Sequence, residues 1–299
     1  MIDIPNYSTF TKVEAINKGW SKDKKYYVET TSGQKLLLRL SDISEYKKKK
    51  EEYEAVIVAS RLGIQMSKPI DFGVCNGGSQ VYMLLTWIEG EDVEIVITTL
   101  SEREQYQMGL QAGKMLKKIH CIIASDGQPN QESRIRYKVA VKLSQYKTCG
   151  HKVPNDHEIL RFIEQNLYCL KDSEYVMLHG DFHVGNLITD NNHNLGVIDF
   201  NRFDYGDPFE DFNRLMVFSR RISIPFAKGQ ISGYFNGEHP PELFFRRMAL
   251  YTAMNALFSI VWSIPYGEVE IEGSLERSKM NYDDYRGFTT IVPIWYEGS

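Results

Sequence analysis

Two short stretches constrain this chain most: Leu178-His179-Gly180-Asp181-Phe182-His183-Val184-Gly185-Asn186 and, further on, Val197-Ile198-Asp199-Phe200. Between them lie Leu187-Ile188-Thr189, the polar turn Asp190-Asn191-Asn192-His193-Asn194, and Leu195-Gly196-Val197-Ile198. Two apolar runs around a polar turn predict a hairpin. A hairpin brings its ends together, so Asn186 and Asp199 are expected as neighbours, and Gly180 and Gly185 let the preceding loop turn tightly. A carboxylate and an amide carbonyl are hard oxygen ligands, enough for a magnesium ion that keeps waters and phosphate oxygens. A further carboxylate at Asp181 can receive a proton, and this is the layout that phosphoryl transfer requires.

Together with Gly206-Asp207-Pro208-Phe209-Glu210-Asp211 downstream, these residues make the sequence resemble the aminoglycoside phosphotransferase family of small-molecule kinases. The likeness runs through most of the chain and ends in the segment after Arg214. It implies an α+β, two-lobed, protein-kinase-like fold with a small antiparallel-sheet N-lobe and a larger, mostly helical C-lobe. Residues 1–89 would be the nucleotide-binding lobe and residues 90–299 the catalytic and substrate-binding lobe. It also implies ATP or GTP as phosphate donor, Mg²⁺, Asp181 as catalytic base, and Asn186 and Asp199 as metal ligands. Singly, His-Gly-Asp is often a mere turn and Asp-Phe a strand terminus; their order and spacing carry the reading. His179 is expected to prop the loop by hydrogen bonding rather than to move a proton.

Composition excludes other classes. The formal charge of −4 gives no basic surface for a phosphate backbone, so no nucleic-acid partner is expected. Cys75, Cys121, Cys149 and Cys169 show no Cys-x-x-Cys spacing and read as reduced thiols. Cys149 with His151 falls short of a zinc set. Met1-Ile2-Asp3-Ile4-Pro5-Asn6 has neither basic flank nor apolar run, so a cytoplasmic location is expected. Met248 to Ile264 is interrupted by Thr252, Asn255, Ser259 and Ser263, which predicts a buried core helix and no membrane partner.

Near the amino terminus, Lys25 to Glu29 and Lys35 to Leu40 are strand-like runs joined by Thr31-Ser32-Gly33-Gln34, a hairpin of a small sheet. By the resemblance, the preceding Lys18 to Lys24 sits where a kinase covers the phosphates, with Gly19, Ser21 and neighbouring amides as anion donors. Where the family carries a phosphate-gripping lysine on its third strand, this chain has Arg39, a rigid, permanently charged fork. Its expected partner is Glu52, with Glu51 and Glu54 as rivals. The run Lys47 to Lys50 reads as a solvated helix face. Asp71-Phe72-Gly73 spells a kinase magnesium motif but precedes any catalytic loop, so it reads as a strand in which Gly73 relieves packing. The resemblance places an interlobe hinge at Leu85-Thr86-Trp87-Ile88, whose backbone at Thr86 and Ile88 meets the purine, with the domain crossing at Glu89 to Asp92.

Ser101 and Glu104 form a capping box ahead of Met108, Ala112, Met115, Leu116 and Ile119 at helical spacing. His120 at that helix's end reads as a dipole partner rather than a ligand. The stretch 125–154 is loosely patterned with a helix near 135–146, and 157–170 is helical. Asp211 reads as a buried acid bracing the catalytic loop. Glu268, Glu270, Glu272, Asp283 and Asp284 gather late. On a solvent-exposed loop they mean little; facing a substrate they would attract a cationic acceptor. The aromatic ending Phe288 to Tyr296 either packs on its lobe or borders the pocket. The expected activity is transfer of a nucleotide γ-phosphoryl group to a small-molecule hydroxyl, first an aminoglycoside. The alternatives are another metabolite or antibiotic (amino alcohol, sugar, macrolide), or a nucleotide-binding module with weak catalysis.

Overall fold

The computed structural model describes residues 3–17, 22–124 and 130–297. In chain order these form strands β1 (Phe10–Ile16), β2 (Lys24–Thr30) and β3 (Lys35–Asp42), helix α1 (Tyr46–Ala59), and strands β4 (Gln65–Met66), β5 (Pro69–Cys75), β6 (Gln80–Thr86) and β7 (Glu91–Asp92). Helices α2 (Val93–Val96), α3 (Glu102–Ile119), α4 (Gln131–Thr148) and α5 (Asp156–Asn166) come next. Short strands β8 (Val176–Leu178), β9 (Leu187–Thr189), β10 (Leu195–Val197) and β11 (Asp204–Gly206) lead into a helical remainder. That remainder comprises α6 (Phe212–Arg214), α7 (Arg220–Ile222), α8 (Ile224–Tyr234), α9 (Glu242–Ser263), α10 (Glu268–Asp284) and α11 (Ile294–Glu297). The chain divides into two compact units, Met1–Asp92 with Asn186–Phe203, and Val93–Gly185 with Asp204–Ser299. A single cut after residue 89 therefore does not describe it, because the β9–β10 hairpin belongs with the first 92 residues.

In the first unit, five strands pair in the order β1-β2-β3-β6-β5, each neighbour antiparallel. Side chains alternate across a strand, so Leu36, Leu38 and Leu40 share one face and cluster with Val28, Tyr82, Leu84, Ile4 and Cys75. Each such buried side chain contributes about 1.5–3 kcal/mol. The same alternation turns Arg39 to the other face. Helix α1 packs on this sheet, and its buried stripe is Lys49, Glu52, Ala55, Val56 and Ala59. Asp71-Phe72-Gly73 lies inside β5, where a Cβ on Gly73 would sit 2.9 Å from the Tyr82 ring and Asp71 accepts the Tyr82 hydroxyl at 2.8 Å. A second sheet of order β4-β10-β9-β7 contains the predicted hairpin.

The second unit is mostly helical. Ser101 and Glu104 cap α3 reciprocally. Helix α3 crosses α8 so closely that Gly109 and Gly113 meet the α8 backbone and Gly229 and Gly233 meet that of α3. Helix α9 has the length and apolarity of a membrane span, yet Phe244, Met248, Leu250, Ala253, Leu257 and Ile260 are buried in the unit's core. The predicted core helix is thus longer at its start than Met248. The stretch expected to be loosely patterned is mostly α4, and the late acids lie on α10 rather than on a loop. Phe288 stacks on Tyr285, and Tyr296 packs on Phe245, so the aromatic ending belongs to this core.

Candidate active site

In the second unit, strand β8 delivers His179-Gly180-Asp181 to a loop held by charge and hydrogen bonds. Both oxygens of buried Asp211 are engaged: the backbone N–H groups of His179 and Gly180 each donate at 2.8 Å. The His120 ring also reaches Asp211, its Nε2 at 3.2 Å, while its Nδ1 meets the Tyr234 hydroxyl at 2.9 Å. These partners favour the tautomer in which Nε2–H donates and Nδ1 accepts. Burial alone would raise the Asp211 carboxyl, but the His120 and His179 groups outweigh it and hold it below the ordinary range. His120 is therefore more than a dipole partner of α3; it joins the brace of the loop.

His179 is fully buried and its Nδ1 accepts the Asp181 backbone N–H at 3.2 Å, which is a prop. Arg214 Nε lies 3.2 Å from both Asp181 Oδ1 and the Gly180 carbonyl oxygen. The helical run from α6 to α7 contains a π-helical turn, Leu215–Ser219. Arg214 immediately precedes this turn, and at the turn's end the Ser219 hydroxyl accepts the Val184 N–H at 3.2 Å. His183 stacks on Phe218 at 4.5 Å and accepts the Gly185 N–H. Asp207 is locked to Arg247 at 2.8 Å and Ser173 at 2.7 Å, well inside the unit.

In the first unit the hairpin closes as its sequence demands. Ile198 N–H donates to the Asn186 carbonyl at 3.0 Å, so the residues flanking β9 and β10 meet. Asp199 adopts φ 66°, a left-handed conformation that a residue with a Cβ holds only when its surroundings impose it. Its carboxylate faces Lys25 Nζ, at 3.3 Å from Oδ2, and Arg39 Nη1, at 3.4 Å from Oδ1. Asp199 thus offers hard carboxylate oxygens in a place that already draws positive charge, the donor chemistry a magnesium ion takes. Groups of three or more His, Cys, Asp or Glu able to hold a metal are absent among the described residues.

Behind Asp199 lies a sealed ion network. Arg39 donates to Glu52 at 2.7 Å and to Asp23 at 2.5 and 3.2 Å. Lys49 donates to Asp23 at 2.7 Å and Glu52 at 3.0 Å, and Ser41 donates to Asp23 at 2.8 Å. Burial would raise the Asp23 carboxyl, but Arg39 and Lys49 overcome this and pull it down to about 2. Lys49 contradicts the reading of its lysine run as wholly solvated, although Lys47, Lys48 and Lys50 are exposed. Glu51 and Glu54 are exposed and take no part.

Among the remaining candidates, Ser21 and the loop segment 18–21 lie outside the described residues. The Thr86 N–H donates to the Lys68 carbonyl and the Trp87 N–H to that of Lys35, so those two donors are already used. The Ile88 side chain packs over Gly196. The late acids are largely paired: Glu270 with Arg277 and Asp283 with Lys279, while Asp284 is buried against Arg220. Sequence reasoning missed Asp23, Lys49 and Arg214. Only Lys49 left a signal, because Lys49, Glu52, Val56 and Ala59 recur at helical spacing.

A family model described as the phosphotransferase enzyme family matches residues 12–245. No curated protein matches the chain. Among solved structures, ADP-bound aminoglycoside phosphotransferase APH(2'')-Ib is similar at TM-score 0.66 and 19% identity, covering 91% of this chain and 95% of that one. The GDP complex of aminoglycoside 2'-phosphotransferase-IIIa matches at TM-score 0.69 and 13% identity, over 92% and 93%. A thermostable mutant of aminoglycoside phosphotransferase APH(4)-Ia matches at TM-score 0.69 and 15% identity, over 94% and 97%. At these identities the likeness establishes the kinase-like α+β fold.

Proposed function

The chain belongs to the phosphotransferase enzyme family, and on that premise we propose that it transfers the γ-phosphoryl group of ATP or GTP to a hydroxyl of a small molecule, with an aminoglycoside as the first acceptor to test. The observation that carries the reading is the held loop: Asp211 grips the N–H groups of His179 and Gly180, and His179 grips that of Asp181. Such a loop presents one carboxylate in a fixed place, which is what positioning catalysis of phosphoryl transfer asks of a protein. Asp181 orients the acceptor hydroxyl and receives its proton as the oxygen bonds to the γ-phosphorus. The bond to the bridging oxygen breaks, and the nucleoside diphosphate departs. Arg214, beside Asp181, keeps that carboxylate in place.

Asn186 and Asp199 are the residues that would hold magnesium, whose charge when bound offsets that of the β- and γ-phosphates. The Ile88 backbone supplies purine contacts together with the Thr86 carbonyl. The nucleotide-bound relatives, one with ADP and one with GDP, support either donor. A cytoplasmic location suits such a substrate pair.

A second reading of the acceptor has its own support. The pairing of Glu270, Asp283 and Asp284 with cations of this chain weakens the case for acidic side chains waiting for a polycation. An amino alcohol, a sugar or a macrolide is the alternative acceptor class. The test is nucleotide turnover by purified protein across aminoglycosides and these other alcohols, with and without Mg²⁺, each acceptor weighed by mass spectrometry. Asp181→Asn should keep nucleotide affinity and lower kcat by about 10²–10⁴-fold. Unchanged turnover in that variant would overturn the role of Asp181. An unmodified acceptor throughout the panel would favour a binding module.

A further inference from the structure

We infer that Lys25, on β2, is the cation that touches the nucleotide's phosphates, and that Arg39 is a buried strut that does not leave its partners. The inference rests on the phosphotransferase reading and deepens it, by naming a phosphate-contacting residue other than the one the resemblance aligns.

The first ground is that Arg39 has little left to give. A guanidinium carries five N–H donors. Arg39 directs Nε and Nη2 to Asp23 and Nη1 to both Glu52 and Asp199, which commits four of them. Its side chain is 4% exposed. Arg39, Lys49, Asp23 and Glu52 form a neutral set of two cations and two anions. Drawing Arg39 toward a phosphate would strand carboxylates in a buried place, and breaking such a pair is strongly destabilising.

The second ground is position. Lys25 stands directly opposite Arg39 in the β2–β3 register, so the two side chains leave the same face of the sheet as neighbours. Lys25 Nζ reaches Asp199 Oδ2 at 3.3 Å, and its side chain is 15% exposed. That is the ammonium's one hydrogen bond among the described residues. An ammonium on a flexible stem has three donors and can swing where a locked fork cannot.

The third ground is charge. Asp199 is the carboxylate fitted to hold magnesium. A divalent cation held by Asp199 would offset the charge that now attracts Lys25, and the ammonium would be freed to meet nucleotide phosphates. Lys25 can make that exchange and leave no buried carboxylate behind. Arg39 cannot.

The test uses the full chain and isothermal titration with Mg-ATP and Mg-GTP on wild type, Lys25→Met, Lys25→Arg and Lys24→Met. Lys24 is the exposed neighbour on β2 and serves as a charge-matched control. Lys25→Met should weaken binding of the preferred nucleotide by about 10–100-fold, the worth of one hydrogen bond to a charged group. Lys25→Arg should recover most of that loss, and Lys24→Met should bind as wild type. Adenosine or guanosine, which have no phosphates, should bind wild type and Lys25→Met alike. Arg39→Lys should be read by melting temperature and should lose stability. Wild-type binding of a nucleotide that Lys25→Met matches overturns the inference alone. A wild type that binds neither Mg-nucleotide overturns the phosphotransferase reading and the inference with it.

Discussion

The crossing of α3 and α8 sets two known effects of a glycine-to-alanine change against each other. A Cβ built on Gly113 would lie 2.1 Å from the Gln230 carbonyl oxygen and 2.6 Å from the Tyr234 nitrogen. On Gly109, Gly229 and Gly233 it would lie 2.2 Å from a backbone oxygen of the opposite helix. In a helix interior, Ala is favoured over Gly by about 1 kcal/mol. Against this, overpacking costs about 1–3 kcal/mol, and the upper end applies where rigid backbone rather than a flexible side chain is in the way. Restoring ordinary contact requires the helices to part by roughly 1 Å, and gaps of that order forfeit about a quarter to a half of each dispersion contact. The clash therefore wins, and Gly113→Ala should lose about 2 kcal/mol net. At about 2–4 °C per kcal/mol for a chain this long, melting followed by circular dichroism should fall by about 4–8 °C. Gly273, on α10, is the control: its Cβ would meet nothing nearer than the flexible Arg277 guanidinium at 3.2 Å. Gly273→Ala should melt at or slightly above wild type. If Gly113→Ala does so too, the reasoning fails, because the two helices would then not be in backbone contact. The crossing also bears on the site, since Tyr234 on α8 meets His120 at the end of α3, and His120 meets Asp211.

Two further outcomes are expected. Asp211→Asn replaces an acceptor oxygen by an NH₂ group facing a backbone N–H of His179 or Gly180, so acceptor-dependent kcat should fall by about 10-fold or more, the worth of one charged hydrogen bond, along with melting temperature; wild-type turnover would remove Asp211 from the brace. Asp23 has a folded carboxyl held at about 2 against an ordinary 3.8. The folded form therefore binds its proton later than the unfolded one, and the stability this supplies is present above about pH 4 and lost as pH falls toward about 2. The amount is at most about 2 kcal/mol. In urea titrations the advantage of wild type over Asp23→Asn should narrow across that window; a gap independent of pH would refute the linkage.

The features legible in the sequence are those that depend on neighbours along the chain. The β2–β3 hairpin, the capping box at Ser101 and Glu104, and the β9–β10 hairpin that joins Asn186 to Asp199 each follow from turn chemistry and periodicity within a few residues. The pairing of Arg39 with Glu52 was an expectation of the family likeness, which sets a helix glutamate against the third-strand cation; the residues alone left Glu51 and Glu54 as rivals. The family likeness ordered these pieces into a fold.

What only tertiary structure decided is which charges are buried together. Four consecutive lysines look alike in sequence, but a helix of 3.6 residues per turn gives each a different direction, and the sheet takes in Lys49 alone. Asp23 and Lys25 carry no local mark, because their importance comes from Arg39 on the next strand and Asp199 across the unit. In the brace of the Asp181 loop, His179 and Asp211 were expected from the sequence, and the fold alone adds His120 and Arg214. A buried charge is stable only beside its partner, and that partnership is a property of the fold rather than of either residue's surroundings in sequence.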